Sequence, residues 1–364
     1  MLKISVANLQ PGMIVGKNIF NAEGYMLLSE GVILTDNYIK RLIDWEICSI
    51  YIRSELMEEV DIPEIICEET RVKSIKTIQE VLSKIKLIDR MDVGEVRTVA
   101  KAIVSEVLKN QGTLLHLNDI RRYDDYTFAH SVHVAVLSVI IGAALDYPEE
   151  KLANLALGAL LHDVGKMLVP KEILNKPGAL TAEEMEIMKM HSEYGFEILR
   201  KQLDMPLLAA HVAFQHHEKL DGSGYPRGLD DEDIHEYARV VAVADVYDAL
   251  TSDRPYSKAI FPHEAYEILR DSVHRHLDAG IVAIFFKHVA IYPLGSVVLL
   301  NTGEIGIVSK VIPELQFRPI VTIIANQGGE FLAKKYQLDL SKYLTVFIEK
   351  VFTEKEVLSM VENT

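Results

Sequence analysis

Two short motifs in the middle of the chain combine side chains that bind metals. The first is His162-Asp163, which directly follows an apolar segment, and the second is the doublet His216-His217 further along. Burying an imidazole beside a carboxylate costs several kcal/mol unless a partner compensates. A bound cation compensates for both groups, because it takes the imidazole lone pair and the carboxylate charge together. Two such places in one chain predict one shared metal site.

Side chains from one helix-patterned region are the candidate metal ligands. They are His130, His162, Asp163, His191, His216, His217 and Asp245. Asp163 is the natural bridging ligand, since a carboxylate has two oxygens and an imidazole has one free lone pair. Imidazole and carboxylate ligands suit iron, manganese or zinc, whereas magnesium prefers more oxygen. Taken singly, each residue would suit core packing or helix capping, and we expect that simpler role for His133, His211 and His235.

A pair of cations about 3.5–4 Å apart would suit the hydrolysis of a phosphodiester. The pair would lower the pKa of a bridging water and offset the charge that develops on phosphoryl oxygens. Asp163 and Lys166 are therefore the predicted catalytic residues, and Lys166 would reach a substrate phosphate as a point charge, with Gly165 leaving room beside it. Arg254 is a second candidate phosphate contact. The alternatives are a solvated lysine at a helix end and a structural ion pair, respectively.

The segment after the histidine doublet, Asp221-Gly222-Ser223-Gly224-Tyr225-Pro226, is a turn. Its two glycines let the backbone approach a ligand or take a positive φ, and Pro226 stiffens its exit. Alone, such a turn would be generic. Because it follows His216-His217 directly, we expect it to form the rim of the site, with Gly222, Gly224 and Tyr225 as substrate contacts.

Composition limits the class of protein. The chain has 364 residues, of which 49% are hydrophobic and 25% charged, so it is long enough for two or three domains. Its net charge of −15 argues against binding a nucleic-acid polymer, which needs a basic surface. Cys48 and Cys67 have no disulfide or metal-ligand spacing, which fits a reducing compartment. Without a signal peptide or an apolar run of about 18 residues, the sequence predicts a cytoplasmic protein with no membrane span.

The helical pattern that positions these residues predicts a mainly α fold. A helical domain is expected over 121–291, with helices at Tyr126–Leu145, Glu149–Leu161, from the capping box at Thr181 to His191, Leu207–Phe214, Ala238–Leu250 and Pro262–Leu277. The helix from Glu149 is apolar nearly all round, which predicts a central position.

Smaller units flank this domain. Residues 1–60 read as a small α+β module with a helix capped by Thr35, and 61–120 as a linker and two amphipathic helices separated near Gly94. These helices could dimerise, transmit signals to a partner, or simply pack on the helical core. Residues 292–364 predict a small β module of two hairpins with a C-terminal helix, the turns being at 301–303 and 326–329.

These motifs resemble the HD-GYP family, the cyclic di-GMP phosphodiesterases of bacteria within the HD hydrolase superfamily. His162–Lys166 matches the family pattern HDxGK, and His216–Pro226 matches HHExxDGxGYP without a departure. The spacing to His130, His191 and Asp245 agrees as well, and the resemblance covers about 120–290. Residues 1–55 look like a small module that often precedes such domains.

The resemblance implies a helical bundle around a metal centre and hydrolysis of cyclic di-GMP to pGpG, with GMP as a further product to be tested. Each of two metals would have four ligands: His130, His162, Asp163 and Asp245 for one, and Asp163, His191, His216 and His217 for the other. Lys166 and Arg254 would contact phosphate. Iron or manganese is expected, with zinc, nickel and magnesium as alternatives.

Two departures from the family pattern affect this expectation. Tyr126 stands where some members carry a glutamate that binds a third metal, and Asp124 and Asp125 are out of register, so we predict two metals. Ser257 stands where some members have a lysine, with Lys258 next, which puts that substrate contact in question.

Two other functions remain open. One is hydrolysis of a different cyclic dinucleotide or of a nucleotide monoester by the same metal chemistry. The other is a non-catalytic scaffold that binds cyclic di-GMP and signals through the terminal modules, with a homodimer or a partner held by the N-terminal helices. A missing ligand would favour the scaffold, and no candidate ligand is missing.

Overall fold

The computed structural model describes residues 2–20, 25–45, 47, 49–53, 63–88, 90–116, 126–176, 178–252 and 258–362. The N-terminal elements are β1 (Leu2–Ser5), β2 (Ile14–Val15), β3 (Ile19–Phe20), β4 (Met26–Leu28), α1 (Asp36–Asp44) and β5 (Ser49–Arg53). β5 lies between β1 and β2 in one antiparallel sheet, and β3 pairs with β4. The hydroxyl of Thr35 accepts a hydrogen bond from the N–H of Tyr38, so the predicted N-cap of α1 is confirmed.

Two long helices lead into the helical domain, α2 (Glu68–Ile88) and α3 (Val93–Lys109). The break precedes Gly94 and does not fall on it, because Asp92 caps α3 by accepting a hydrogen bond from the N–H of Glu95. The apolar faces of both helices belong to the same hydrophobic core as the helices that follow, through residues such as Ile78 and Val96. α2 and α3 therefore pack on the helical core.

The helical domain follows. Its α-helices are α4 (Tyr126–Ala144), α5 (Glu149–Leu160), α6 (Lys171–Leu174), α7 (Ala182–Lys189), α8 (His191–Leu199), α9 (Leu207–Gln215), α10 (Glu236–Thr251), α11 (Pro262–Asp271) and α12 (Ala279–His288). The eight residues from Leu152 to Leu160 other than Asn154 are buried, so α5 is central as expected. The capping box at Thr181 is present, but its helix ends at Lys189 and a second helix begins at His191. The helix from Pro262 stops at Asp271, short of the predicted Leu277, and the left-handed φ of 65° at His274 shows that the chain there is not helical.

The C-terminal unit is an antiparallel sheet and a last helix. Its strands are β6 (Val297–Leu300), β7 (Ile305–Lys310), β8 (Ile320–Ala325), β9 (Phe331–Asp339) and β10 (Ile348–Val351), in the order β10-β6-β7-β8-β9, followed by α13 (Glu354–Glu362). Both hairpins are confirmed, and Gly303 and Gly329 take the positive φ that their turns need. The fold is mainly α with two small β-containing units, and no helix among the described residues is long and apolar enough to cross a membrane.

Specific contacts connect the units. Glu354 of α13 accepts hydrogen bonds from the backbone N–H of Ser5 (2.8 Å) and the side chain of Asn8 (2.9 Å). Leu358 of the same helix packs against the apolar core of the N-terminal unit. At the other junction, buried His116 accepts a hydrogen bond through Nδ1 from the N–H of Leu294 (3.1 Å), just before the C-terminal sheet.

The contact at His116 predicts a pH dependence of stability. Burial lowers the pKa of His116 to about 4, whereas the unfolded chain binds this proton below about 6.5. The stabilising contribution is thus complete above pH 6.5 and is lost as the pH falls towards 4, by about 1.4 kcal/mol per pH unit. Urea unfolding of metal-free protein at pH 7.5 and 5.0 measures the loss. His116→Asn keeps an acceptor but does not titrate, so its loss should be smaller by about 2 kcal/mol; equal losses would contradict the prediction.

Candidate metal centre

The centre forms where α5 ends. His162 and Asp163 lie in the turn after Leu161, before a 3-10 helix at Val164–Leu168. His162 is fully buried and Asp163 is 4% exposed. The Nδ1–H of His162 donates to the carbonyl of Ala159 at 2.7 Å, because a carbonyl oxygen can only accept. That bond fixes the tautomer, so the Nε2 lone pair of His162 is directed away from its own helix.

Two further histidines use the same device. The Nδ1–H of His191 donates to the carbonyl of Met188 (2.7 Å), and that of His216 lies 3.1 Å from two carbonyls of its own helix. Their Nε2 atoms then face each other at 3.4 Å as two acceptors. Two lone pairs in that arrangement repel unless a cation lies between them.

Asp163 divides its two oxygens between two groups of histidines. Its Oδ2 lies 3.3 Å from His162 Nε2 and 3.8 Å from His130 Nε2. Its Oδ1 lies 3.5 Å from His191 Nε2 and 3.7 Å from His216 Nε2. Among the described side chains, His162 Nε2 and Asp163 Oδ1 are buried atoms without a hydrogen-bond partner. A buried imidazole nitrogen and a buried carboxylate oxygen that lack donors are suitable ligand atoms for a divalent cation, so these residues fit a metal.

All seven predicted ligands lie in this one place. Ligand atoms within 4.8 Å of one another form two groups, one of Asp163, His191, His216 and His217, and one of His130, His162 and Asp245. Asp245, on α10, is joined to His130 of α4 by a contact of 3.1 Å. Five elements of the domain therefore supply the two groups: α4, the turn after α5, α8, the end of α9, and α10.

The electrostatics favour the protonation states that a metal needs. Burial lowers the pKa of His216 well below its ordinary value and that of His217 to about 3, so both imidazoles are neutral. Burial alone would raise the pKa of Asp163, but the charge of the Lys166 ammonium holds it well below its usual range. His130 differs, because hydrogen bonds to two carboxylates outweigh its burial and raise its pKa to about 9. A metal that binds at this nitrogen would therefore displace a proton from His130.

Sequence reasoning missed Asp248, which orients the candidate ligand His130. Its Oδ2 accepts the Nδ1–H of His130 at 2.6 Å, and its Oδ1 lies 3.3 Å from Nδ1 of His133 and 3.2 Å from the hydroxyl of Ser252. His133 is buried as expected, but it also helps to hold this carboxylate. The signal available in the sequence was the spacing of three residues from Asp245, which places both carboxylates on one side of α10.

Asp248→Asn should lower metal affinity about 10- to 100-fold, as is usual when the partner of a metal-binding histidine is lost. His130 and His133 contact different oxygens of Asp248, and in asparagine one of these two positions becomes an NH2 group, which donates and cannot accept. Competition titration with a chromophoric chelator measures the change. Ser252→Ala removes a single hydroxyl contact to the same carboxylate and should have a smaller effect; an Asp248→Asn protein that binds metal as wild type does would refute the role.

The loop at 218–229 is shaped by backbone contacts. Buried Glu218, also missed from the sequence, accepts hydrogen bonds from the N–H groups of Arg227 (2.8 Å) and Leu229 (3.0 Å) and so closes the loop. A Cβ on Gly224 would lie 2.4 Å from the nitrogen of Lys219, so this glycine is required by packing. Gly222 takes a positive φ of 74°.

This loop places Tyr225 against the candidate ligands. Its ring lies 4.7 Å from that of His217 and 6.3 Å from that of His191. Burial, together with the charges of Asp163 and Asp245, raises the pKa of Tyr225, so its hydroxyl stays protonated.

The other predicted residues divide into three kinds. Lys166 Nζ lies 2.5 Å from Asp163 Oδ2, beside the centre. His211 packs against Phe196, and His235 caps α10, so neither belongs to the groups described above. The remainder lie outside what the structure describes: Arg254, Asp124, Asp125, Ser257 and the side chain of Tyr126.

Comparisons with known proteins bear on both the helical domain and the C-terminal unit. A family model described as an HD domain matches residues 111–281, and one described as a KOW domain associated with HD domain matches 297–360. The chain is 35% identical to the cyclic di-GMP phosphodiesterase PA4108 of Pseudomonas aeruginosa, over 80% of this chain and 69% of that protein. It is 40% identical to a cyclic di-GMP phosphodiesterase of Thermotoga maritima, over 47% of each chain.

A comparison with solved structures also found a partial similarity. It is to Bd1817, an HDG"Y"P protein of Bdellovibrio bacteriovorus, with a TM-score of 0.47 and 19% identity, over 78% of this chain and 97% of that one. The helical domain and its histidine–aspartate centre define an HD-type domain. The extended similarity to the Pseudomonas protein, together with the intact HDxGK and HHExxDGxGYP motifs, shows that the chain belongs to the HD-GYP family.

Proposed function

We propose that this protein is a metal-dependent phosphodiesterase that hydrolyses cyclic di-GMP to linear pGpG. The observation that carries the proposal is the division of the two Asp163 oxygens between two groups of buried histidines. A carboxylate shared in this way suits two cations, of which iron and manganese match the imidazole-rich ligand set. The named activities of the Pseudomonas and Thermotoga relatives support the substrate.

Each residue of the centre has a proposed role. His130, His162, Asp163 and Asp245 would hold one metal, and Asp163, His191, His216 and His217 the other. When bound, two divalent cations supply Lewis acidity, and they lower the pKa of a water to near neutrality. Asp163 is held in its anionic form at the position shared by both groups.

Other residues would bind the substrate. Lys166, already beside Asp163, is placed to donate to the phosphate that reacts. Gly222, Gly224 and Tyr225 would form the rim that excludes water from the reacting group. We propose Arg254 as a further phosphate contact.

A second cyclic dinucleotide is a competing substrate. The 3'3'-cGAMP-specific phosphodiesterase 3 of Vibrio cholerae is 38% identical to this chain over 46% of it and 36% of that protein. Both substrates present a phosphodiester to the same centre, and they differ in one base, so base contacts decide between them.

The test uses protein purified without oxygen and assayed for both metal content and products. Loaded with iron or manganese, it should convert cyclic di-GMP to pGpG, and the chelated protein should not. Faster turnover of 3'3'-cGAMP would assign the second substrate instead. Tight binding of cyclic di-GMP without turnover, at full metal content, would overturn the hydrolase and favour a signalling scaffold.

We further propose a division of labour along the chain. Residues 121–291 would be the catalytic unit, with 1–60 and 292–364 as regulatory or partner-binding modules and 61–120 as the linker and helices between them. Dimerisation through α2 and α3 and a cytoplasmic location complete the proposal, and size-exclusion chromatography with light scattering tests the dimer.

A further inference from the structure

Lys189 is a cation at the edge of the metal centre, and it is neither a candidate metal ligand nor one of the proposed contacts of the reacting phosphate. It is the last residue of α7, two positions before the candidate ligand His191. Its ammonium lies over the ring of Tyr225, 5.7 Å from the centroid. The same ring lies 4.7 Å from that of His217. Lys189 is therefore separated from the candidate metal ligands by one aromatic side chain.

The ammonium of Lys189 is held loosely enough to bind a ligand. Its ion pair with Glu186 measures 2.6 Å, but the side chain of Glu186 is 71% exposed and that of Lys189 is 34% exposed. Exposed pairs of this kind contribute only about 0–1 kcal/mol, so a substrate phosphate can replace the carboxylate at little cost. A cation–π contact with the ring of Tyr225 is the other interaction of this ammonium, and a phosphate bound at the edge of the centre would not disturb it.

Lys166 occupies a different position and is committed to a different partner. Its Nζ contacts Asp163 at 2.5 Å, within the centre itself. Lys166 and Lys189 approach the site from different elements, the 3-10 helix after Asp163 and the end of α7. These contacts put Lys166 within the centre and Lys189 at its edge, beside Tyr225.

The proposed substrate needs two such positions. A cyclic dinucleotide carries two phosphodiester groups, and only one can react at the metal centre at a time. The other keeps its negative charge in a protein whose net charge is −15, so it requires a local cation. We propose that Lys189 binds this second, non-reacting phosphate; the inference rests on the proposed function.

The experiment compares Lys189→Met with wild type on two substrates. With cyclic di-GMP, the variant should show a KM raised about tenfold, as for the loss of one charged contact, with kcat nearly unchanged. Its KM should also depend less steeply on salt concentration, since one ionic contact is missing. With bis(4-nitrophenyl) phosphate, a diester with a single phosphate, the same variant should match wild type.

Further variants separate charge from structure. Lys189→Arg keeps the cation and should recover most of the affinity for cyclic di-GMP. Glu186→Gln removes the competing carboxylate and should lower KM slightly. Lys201→Met changes an exposed lysine just after α8, and as the control it should leave the hydrolysis of both substrates unaffected.

The outcomes distinguish this inference from the proposed function. Wild-type protein that fails to hydrolyse cyclic di-GMP would refute the proposed function itself. If wild type is active and Lys189→Met has an unchanged KM and salt dependence, only the role of Lys189 fails. Equal losses on both diesters would also overturn that role, because they would place Lys189 at the reacting phosphate.

Discussion

Asp163→Ala should reduce the hydrolysis of cyclic di-GMP by about a thousandfold or more and lower the metal content of both ligand groups. Among the described carboxylates, only Asp163 has one oxygen facing each of the two groups of histidines. Its loss would leave His191 and His216 with facing acceptors and no shared anion. Metal catalysis supplies several kcal/mol of transition-state stabilisation, which corresponds to a loss of this size.

Product chromatography and elemental analysis of the purified variant would measure both effects. Glu193→Ala, which removes an exposed carboxylate of α8 close to His191 in sequence, is the matched control and should retain activity and metal. A thermal melt separates loss of the site from loss of the fold. Product formation by Asp163→Ala at the wild-type rate would be incompatible with the proposed chemistry.

Gly165→Ala should destabilise the protein by about 3 kcal/mol or more, because it forces apart the two elements that carry Asp163 and His191. A Cβ at this position would lie 1.9 Å from the carbonyl oxygen of His191 and 2.5 Å from the nitrogen of Gly195. Both are backbone atoms, so no side-chain rotation relieves the overlap. We expect Tm to fall by roughly 6–12 °C, with metal affinity falling as well.

Gly195→Ala is the control at the same contact. Its Cβ would meet Ala213 Cβ at 3.2 Å and only looser contacts beyond, and α8 would gain the helix preference of alanine. The change in the free energy of unfolding should stay within about 1 kcal/mol. Differential scanning calorimetry measures the melting temperatures of both variants. Equal melting temperatures would show that the close approach at Gly165 does not require a glycine.

Some features were predictable because their signals are local. The hairpin turn at Gly303 and the capping box at Thr181 depend on residues within a few positions of one another. The grouping of the seven candidate ligands was predictable because the motifs bring together histidines and carboxylates that would need a cation once they are buried. The geometry then places those seven residues together.

The features that were missed depend on distant parts of the chain or on competition between conformations. No proline or glycine marks the break between α7 and α8. Met190, the residue at the break, itself keeps a helical backbone conformation. The role of Asp248 appears only when α10 packs against α4, which brings it to His130. The role of Glu218 depends on a loop that returns to it after nine residues or more.

The hydrogen bonds from Ser5 and Asn8 to Glu354 hold the N-terminal unit against α13. A truncation that removes the final helix would also strip Leu358 from the apolar core of the first unit. A form that lacks either the N-terminal unit or α13 would therefore leave part of the other exposed, and kinetic comparisons should use protein that keeps both.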